Sequence, residues 1–343
     1  MTTANPIAGT LVFLLGGIAA ATYLLPFRGI RGWAYETGWL VSVVAGWFVF
    51  PLAFDAVVVP DFRGVLGAAA PSVLFRSFGF GVLWGVGALC WALMVRYLGI
   101  GLGLGIGAGL CAATGTLLPP ICTGHAADLV ATPSARMVLC GVGIALVGIV
   151  AVGIAGRLKE GEMSDEAKKK AVAEFDFKKG LVTAVIAGVA SAGINFGLQG
   201  APELERAALA AGASPTWAGM PVLTVVLWGG LVTQFAWAIA QHRKNRSFGD
   251  YAANPRPLNY LLAIAVGVVG VMQFVLQKAG EPLMGEFRYI SFAVLMSSAV
   301  FFSAILGVVL GEWRGTSLRT RLFLSLGVLV LALGFTVMAL GGK

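Results

Sequence analysis

RLKEGEMSDEAKKKAVAEFDFKK, residues 157–179, is the longest polar stretch in a chain of 343 residues. Five apolar runs precede it, at 6–25, 37–59, 72–95, 99–121 and 135–156. Five follow, at 179–199, 216–240, 258–279, 288–311 and 320–341. A helix crosses a bilayer in about 20 apolar residues, so each run is long enough for one crossing. An odd number of crossings per half forces the halves into opposite orientations. The expected fold is an all-α integral membrane protein, with ten transmembrane helices as two inverted five-helix repeats. The first repeat is 1–156, a charged linker covers 157–178, and the second repeat is 179–343.

Composition agrees with a bilayer. Hydrophobic residues make up 58% of the chain and charged ones 12%, with a mean hydropathy of +0.87. So few charges cannot cover a water-soluble surface. The net charge of +8 comes from short connections, not from a basic patch interleaved with aromatics, so nucleic acid is not an expected partner. Connections after odd-numbered runs, with their flanks, hold seventeen basic residues, among them Arg28, Arg31, Lys168, Lys169, Lys170 and Arg243. The opposite side holds seven: Arg63, Arg76, Arg136, Arg206, Lys278, Arg288 and Lys343. That bias predicts a cytoplasmic 157–179 connection and both termini on the periplasmic side. Cys90, Cys111, Cys122 and Cys140 show no CxxC spacing and read as small hydrophobes.

Glycine is concentrated in YLGIGLGLGIGAGLCAATG, residues 97–115. Gly101, Gly105 and Gly109 form one stripe, with Gly99, Gly103 and Gly107 beside it. Small residues at four-residue spacing let membrane helices approach closely. Strict alternation supplies no phosphate-binding pattern.

Polar side chains within apolar runs need partners and usually face the bundle interior. Ser191, Asn195 and Gln199 recur at four-residue spacing, as do Gln273 and Gln277. Trp84 and Trp91 lie seven residues apart on one face. Amides bond hydroxyls in pairs and indoles cover apolar ring faces, so these are candidate sugar ligands. They could equally serve as interhelical hydrogen bonds and aromatic packing. Two acids are candidates for proton coupling. Glu36 opens the second run near Arg28 and Arg31, where a surface ion pair is the alternative. Asp55 lies in PLAFDAVVVP (51–60). Glu281, Glu286 and Arg288 mark an outer vestibule. His125 and Asp128 read as a polar outer loop, and His242 in QHRKNR (241–246) as a solvated residue. No metal ligand set, catalytic triad or cofactor motif appears, so neither an enzyme nor a cofactor is expected.

Several stretches carry a resemblance: ATYLLPFRGIRGWAYETGW (21–39), WGVG (84–87), MVRYLGIGLGLGIG (94–107), GTLLPPI (115–121), EFDFKKGLVTAVIAGVASAGINF (174–196), YISF (289–292) and GVVLGEW (307–313). They are collinear over nearly the whole chain. The sequence resembles the bacterial L-rhamnose–proton symporters of the drug/metabolite transporter superfamily. The resemblance implies a ten-helix carrier of the bacterial inner membrane that brings L-rhamnose in with protons. Glu36 matches the acid of a WxxET motif and Tyr289 the tyrosine before an IS pair, which adds Tyr289 to the candidate ligands. The chain departs from the pattern at GALCWA (87–92), where a polar GNINYG-like segment is expected, and at FRYISF (287–292), where Arg288 replaces an acid. Changes at such positions can exchange hydroxyl recognition for apolar contact.

The expected function is proton-coupled uptake of L-rhamnose or a related deoxy sugar by alternating access. Its partners are protons, a small sugar and membrane lipids, with the chain acting as a monomer. The alternatives are an exporter of the same superfamily with an apolar, aromatic pocket, a uniporter for polyols or sugars, and a non-transporting scaffold or sensor.

Overall fold

The computed structural model describes residues 4–162 and 176–341, and gives backbone alone for Ala92, Val95, Arg96, residues 99–105 and Phe177. Lys168, Lys169 and Lys170 of the polar stretch lie outside the described residues, as do the small-residue surfaces expected at 99–105. The protein is an all-α, multi-pass membrane protein. Among the described residues, eight helical segments are long and apolar enough to cross a membrane. Large side chains such as Val57, Phe75 and Leu329 point outward and are more than two-thirds exposed, as hydrocarbon permits and water does not.

Helix α1, Pro6–Thr22, starts where Asn5 accepts a hydrogen bond from the Ala8 amide and proline fills the first turn. Helix α2, Tyr35–Val58, contains a π turn at Ala45–Val49 just before Pro51. Proline has no amide to give, and the wider turn absorbs the lost bond. Helix α3 is the segment Pro71–Cys122 and α4 is Pro133–Glu162. After the polar connection come α5 (Phe177–Ser191), α6 (Gly193–Gln199), α7 (Pro202–Ala210) and α8 (Met220–Asn245). The chain ends with α9 (Pro257–Gly280), α10 (Ser291–Val309) and α11 (Leu318–Gly341).

Segment α3 covers two of the expected crossings. It is not one straight rod. A Cβ on Gly107 would lie 2.8 Å from Met94 Sδ and 3.0 Å from Trp91 Cη2, whereas a straight helix would place positions 94 and 107 about 20 Å apart. The two limbs therefore fold back on each other. Both pack on α5 and α6, with Phe80 against Gly193 in one limb and Leu110 against Gly188 in the other.

Glycine sets the closest approaches. Gly141 and Gly148 of α4 meet Met338 and Leu331 of α11, where an added Cβ would come within 2.6 and 2.7 Å of side-chain carbons. Gly46 of α2 abuts the backbone at Gly267 of α9, and Gly81 of α3 abuts that of α8 beside Gly229. Gly16 and Gly17 seat α1 on α9 and α10. In a bilayer, packing of this kind holds helices together, because lipid tails are as apolar as leucine.

The start of α1 and the end of α11 lie at one face. The Asn5 amide donates to Leu283 O at 2.8 Å, and Gly341 packs on Val138. The loops at 122–132 and 281–290 share that face. The opposite face carries the end of α4 and the connections at 245–256 and 310–317, where the Ser317 amide donates to Glu162 at 2.7 Å.

Candidate functional site

A cavity of about 910 Å³ opens at the face holding the start of α1 and the end of α11. This is within the size range of ligand pockets, about 300–1,000 Å³. Phe80, Phe196 and Phe287 give it apolar walls, while Gln199, Arg288 and Tyr289 supply polar groups. Gln199 Nε2 and the Tyr289 hydroxyl are buried atoms without a hydrogen-bond partner. Leaving a buried donor unpaired costs about 1–3 kcal/mol, and a ligand hydroxyl removes that cost. Arg76 holds one rim by donating to Gly200 O at 2.5 Å.

Next to the cavity is an ionic quartet. Lys278, buried near the end of α9, donates to Glu281 at 2.6 Å and also to Glu205 of α7. Arg288 donates to Glu205 at 2.9 Å and to Glu281 at 3.3 Å. Four formal charges then balance where an unpaired one would be expensive. From this quartet a hydrogen-bond chain runs inward. Ser291 Oγ donates to Glu281 at 3.0 Å, and Gln277 Nε2 donates to Ser291 Oγ at 3.1 Å and to Asn195 Oδ1 at 2.8 Å. Asn195 Nδ2 completes it at Gly115 O, 2.6 Å away. The chain links α6, α9, α10 and the glycine-rich limb of α3.

The candidate sugar ligands therefore divide. Asn195 and Gln277 meet and are fully buried; Gln199 and Tyr289 line the cavity. Gln273 instead donates to Gly270 O in its own helix, at 2.7 Å. Trp84 packs between Trp47 and Phe274, with centroids 4.5 and 5.5 Å away. Trp91 donates its indole N–H to Ser191 Oγ at 2.7 Å. The structure places none of these three on the cavity wall. One reason lies in the expected 191–195–199 stripe: the helix breaks at Ala192, between α5 and α6, and Ser191 turns to Trp91. His125 and Asp128 lie at the exposed cavity mouth. Among the described residues, no group of three or more His, Cys, Asp or Glu side chains is placed to hold a metal ion.

The two candidate coupling acids lie toward opposite ends of α2, about 28 Å apart at 1.5 Å per residue. Asp55 is buried, and its carboxylate accepts from Thr224 of α8 at 2.5 Å. Glu36 is buried at the sealed face and forms no arginine pair. Arg28 reaches Glu312 instead, at 3.4 Å. Glu36 Oε1 accepts from Ser247 Oγ at 2.6 Å and Asn245 Nδ2 at 2.9 Å. Around it the N-terminal half is tied to the C-terminal half. Asp250 accepts from the Ala34 amide at 2.7 Å and Thr37 Oγ1 at 2.8 Å, Trp33 donates to Asn254 O at 3.0 Å, and Trp39 donates to Gln234 at 3.0 Å.

One expectation is overturned. His242 is not solvated but fully buried, with Nδ1 2.8 Å from Ser247 Oγ and Nε2 3.1 Å from the Tyr251 hydroxyl. The cause is the left-handed backbone at Arg246, φ 54°. It ends α8 and folds Ser247 and Tyr251 back over the histidine. The quartet was also missed. Lys278 and Glu281 stand at i, i+3, a legible helical pair, but Glu205 comes from a distant segment.

The fold and the cavity define a class: a multi-pass membrane carrier with polar residues lining an internal site. The family model described as L-rhamnose-proton symport protein (RhaT) matches residues 2–343. The chain is 34% identical over 339 residues to an L-rhamnose-proton symporter of Cronobacter sakazakii, covering 97% of each chain. It is 34% identical over 340 residues to one of Shigella flexneri and 33% over 339 to one of Escherichia coli, with the same coverage. The chain belongs to the RhaT family of secondary transporters and is not a catalytic enzyme.

Proposed function

We propose that this protein takes up L-rhamnose, or a closely related deoxy sugar, together with protons by alternating access. The observation that carries the sugar site is the cavity with two unpartnered buried donors, Gln199 Nε2 and Tyr289 OH, on its wall. Paired hydroxyls of a sugar satisfy them, and the Phe80, Phe196 and Phe287 surfaces suit the apolar ring face and methyl group. Asn195 and Gln277 join the site from the hydrogen-bond chain behind the cavity wall, and Glu36 or Asp55 holds the coupled proton.

The fold reading behind this proposal is ten spans in two inverted five-span repeats, 1–156 and 179–343, joined by the 157–178 linker. Exchange of packing partners supports it when α3 and the 257–309 region are each counted as two spans. The first span, α1, seats on α9 and α10 (spans eight and nine), as span six, α5 with α6, seats on both limbs of α3. The Gly46–Gly267 contact of spans two and eight has its counterpart at Gly81–Gly229, spans three and seven. The basic bias then puts the cavity on the periplasmic side of a bacterial inner membrane, with both termini there. One chain holds the whole cavity, so a monomer is sufficient.

The substrate class is tested by counterflow of labelled L-rhamnose in proteoliposomes with competing compounds. Deoxy sugars should compete in proportion to the hydroxyls they share with L-rhamnose. Competition by flat apolar amines, with none from sugars, would replace this reading with that of an exporter.

A further inference from the structure

His242 has no place in the sugar site, yet its surroundings are built around protons. It is fully buried, and Phe248 stacks on it with centroids 4.5 Å apart. A serine hydroxyl has a single hydrogen. Ser247 gives it to Glu36 Oε1 at 2.6 Å, so at the 2.8 Å contact Ser247 Oγ accepts and His242 Nδ1 donates. The tautomer follows: with Glu36 a carboxylate, a neutral His242 carries its hydrogen on Nδ1 and keeps Nε2 free to accept. With Glu36 protonated, the Ser247 hydrogen turns to Nδ1 and the histidine hydrogen sits on Nε2. Tyr251 supplies a hydroxyl there at 3.1 Å, and the same hydroxyl can instead donate to Thr37 O at 3.4 Å. Burial first, then the neighbouring Tyr260, Asp250 and Glu36, push the Tyr251 phenol up to about 12, so Tyr251 keeps its hydrogen.

We propose that Glu36, Ser247 and His242 form a proton relay in which His242 is the exchange group between the coupling carboxylate and the water at the sealed face. The proposal rests on proton-coupled transport and on Glu36 as the coupling acid. The inward step balances as follows. It starts from a protonated Glu36, with Ser247 donating to His242 Nδ1 and the histidine hydrogen on Nε2. The Glu36 proton passes to Ser247 Oγ while the Ser247 hydrogen passes to His242 Nδ1. The Nε2 hydrogen of His242 leaves past Tyr251 to water. Glu36 ends as a carboxylate, and Ser247 and His242 each regain one hydrogen. In the reverse step a proton arriving at Nε2 turns the Tyr251 hydroxyl toward Thr37 O, and no polar atom loses its partner. The other charged or titratable groups around the relay are Asp250 and Tyr251 on the following turn, Tyr260 on α9, and Arg243, Lys244 and Arg246 beside His242 in sequence. Asp250 is already engaged by Ala34 and Thr37.

The relay also explains why this position couples to the gate. Charge-assisted bonds are about twice as strong as neutral ones. A carboxylate at Glu36 thus holds Asn245 and Ser247 of the other half, and a protonated Glu36 holds them more weakly.

The test uses full-length protein in proteoliposomes. Proton-driven L-rhamnose accumulation is measured from external pH 5 to 9 for the wild type, His242→Gln and Ser247→Ala, alongside protein recovery. The relay predicts that both variants shift the midpoint of the pH profile by at least one unit and lower accumulation at least tenfold. Variants whose accumulation falls by one factor at every pH, with an unmoved midpoint, would reduce His242 to packing and overturn the inference. A second measurement does not depend on transport. The chain has only two histidines, so His125→Gln leaves a single nitrogen-15 histidine signal. At the alkaline end of the range, with Glu36 a carboxylate, it should show the Nδ1–H tautomer; an Nε2–H tautomer there overturns the relay. A wild type that accumulates nothing under a proton gradient overturns the coupled reading and this inference together. Unaltered variants beside a coupled wild type overturn this inference alone.

Discussion

The two ends of the bundle are organised by different chemistry. At the cavity end, charge is gathered within the C-terminal half: Glu205, Lys278, Glu281 and Arg288 neutralise one another beside an open space. At the sealed end, the bonds cross between the halves: Glu36 to Asn245 and Ser247, Asp250 to Ala34 and Thr37, Trp33 to Asn254. A carrier that alternates must break cross-half bonds at its closed end and can leave within-half bonds intact. Under the proposed alternating access, the cavity-end quartet would stay as permanent structure, and the sealed-end network would act as the gate.

That contrast sets an order of effects. The largest loss of stability should follow removal of one member of the quartet. Lys278→Met strands Glu205 and Glu281 beside Arg288, and breaking a buried pair costs about 3–5 kcal/mol. The melting temperature of the purified protein should fall sharply, and the double variant Lys278→Met with Glu281→Gln should recover part of it. Asn195→Ala comes next, because it leaves Gln277 without its amide partner, a cost of about 1–3 kcal/mol. Its expected reading is a rise of about tenfold or more in the KM for sugar, together with a modest loss of melting temperature.

Tyr289→Phe should act on the ligand alone. Its hydroxyl has no protein partner, so stability should hold while apparent sugar affinity weakens by about five- to tenfold, on the order of 1 kcal/mol. The smallest effect is expected at the exposed rim of the gate. Arg28 and Glu312 are 63% and 46% exposed, and such pairs contribute about 1 kcal/mol or less. Arg28→Ala should leave melting unchanged, and a large effect there would place the gate at the surface pair rather than at Glu36.

Much of the architecture was legible because hydrophobic length and polar interruptions are local properties. The polar stretch at 157–179 and the apolar runs around it sufficed for a multi-pass helical membrane protein. The fold-back of α3 was anticipated as two runs, although no polar loop separates them. Asn195, Gln199, Gln277 and Tyr289 stood out as polar groups in apolar runs, and the structure buries Asn195 and Gln277 and brings Gln199 and Tyr289 to the cavity. Trp84, Trp91 and Gln273 pack against protein neighbours instead, since a helix face read from spacing says nothing about which neighbour fills it. The gate was the least legible. His242 sits in a basic run that looks solvated, and only the left-handed turn at Arg246 buries it. Glu36 lay close in sequence to two arginines, yet its partners come from more than two hundred residues away.

The most direct measurement is the accumulation of labelled L-rhamnose in sealed proteoliposomes under an imposed pH gradient, acidic on the cavity side. Proton-coupled alternating access predicts an internal concentration above the external one that collapses when an uncoupler is added, and for Glu36→Gln, exchange without accumulation. Equilibration that stops at equal concentrations, with or without the gradient, would contradict it.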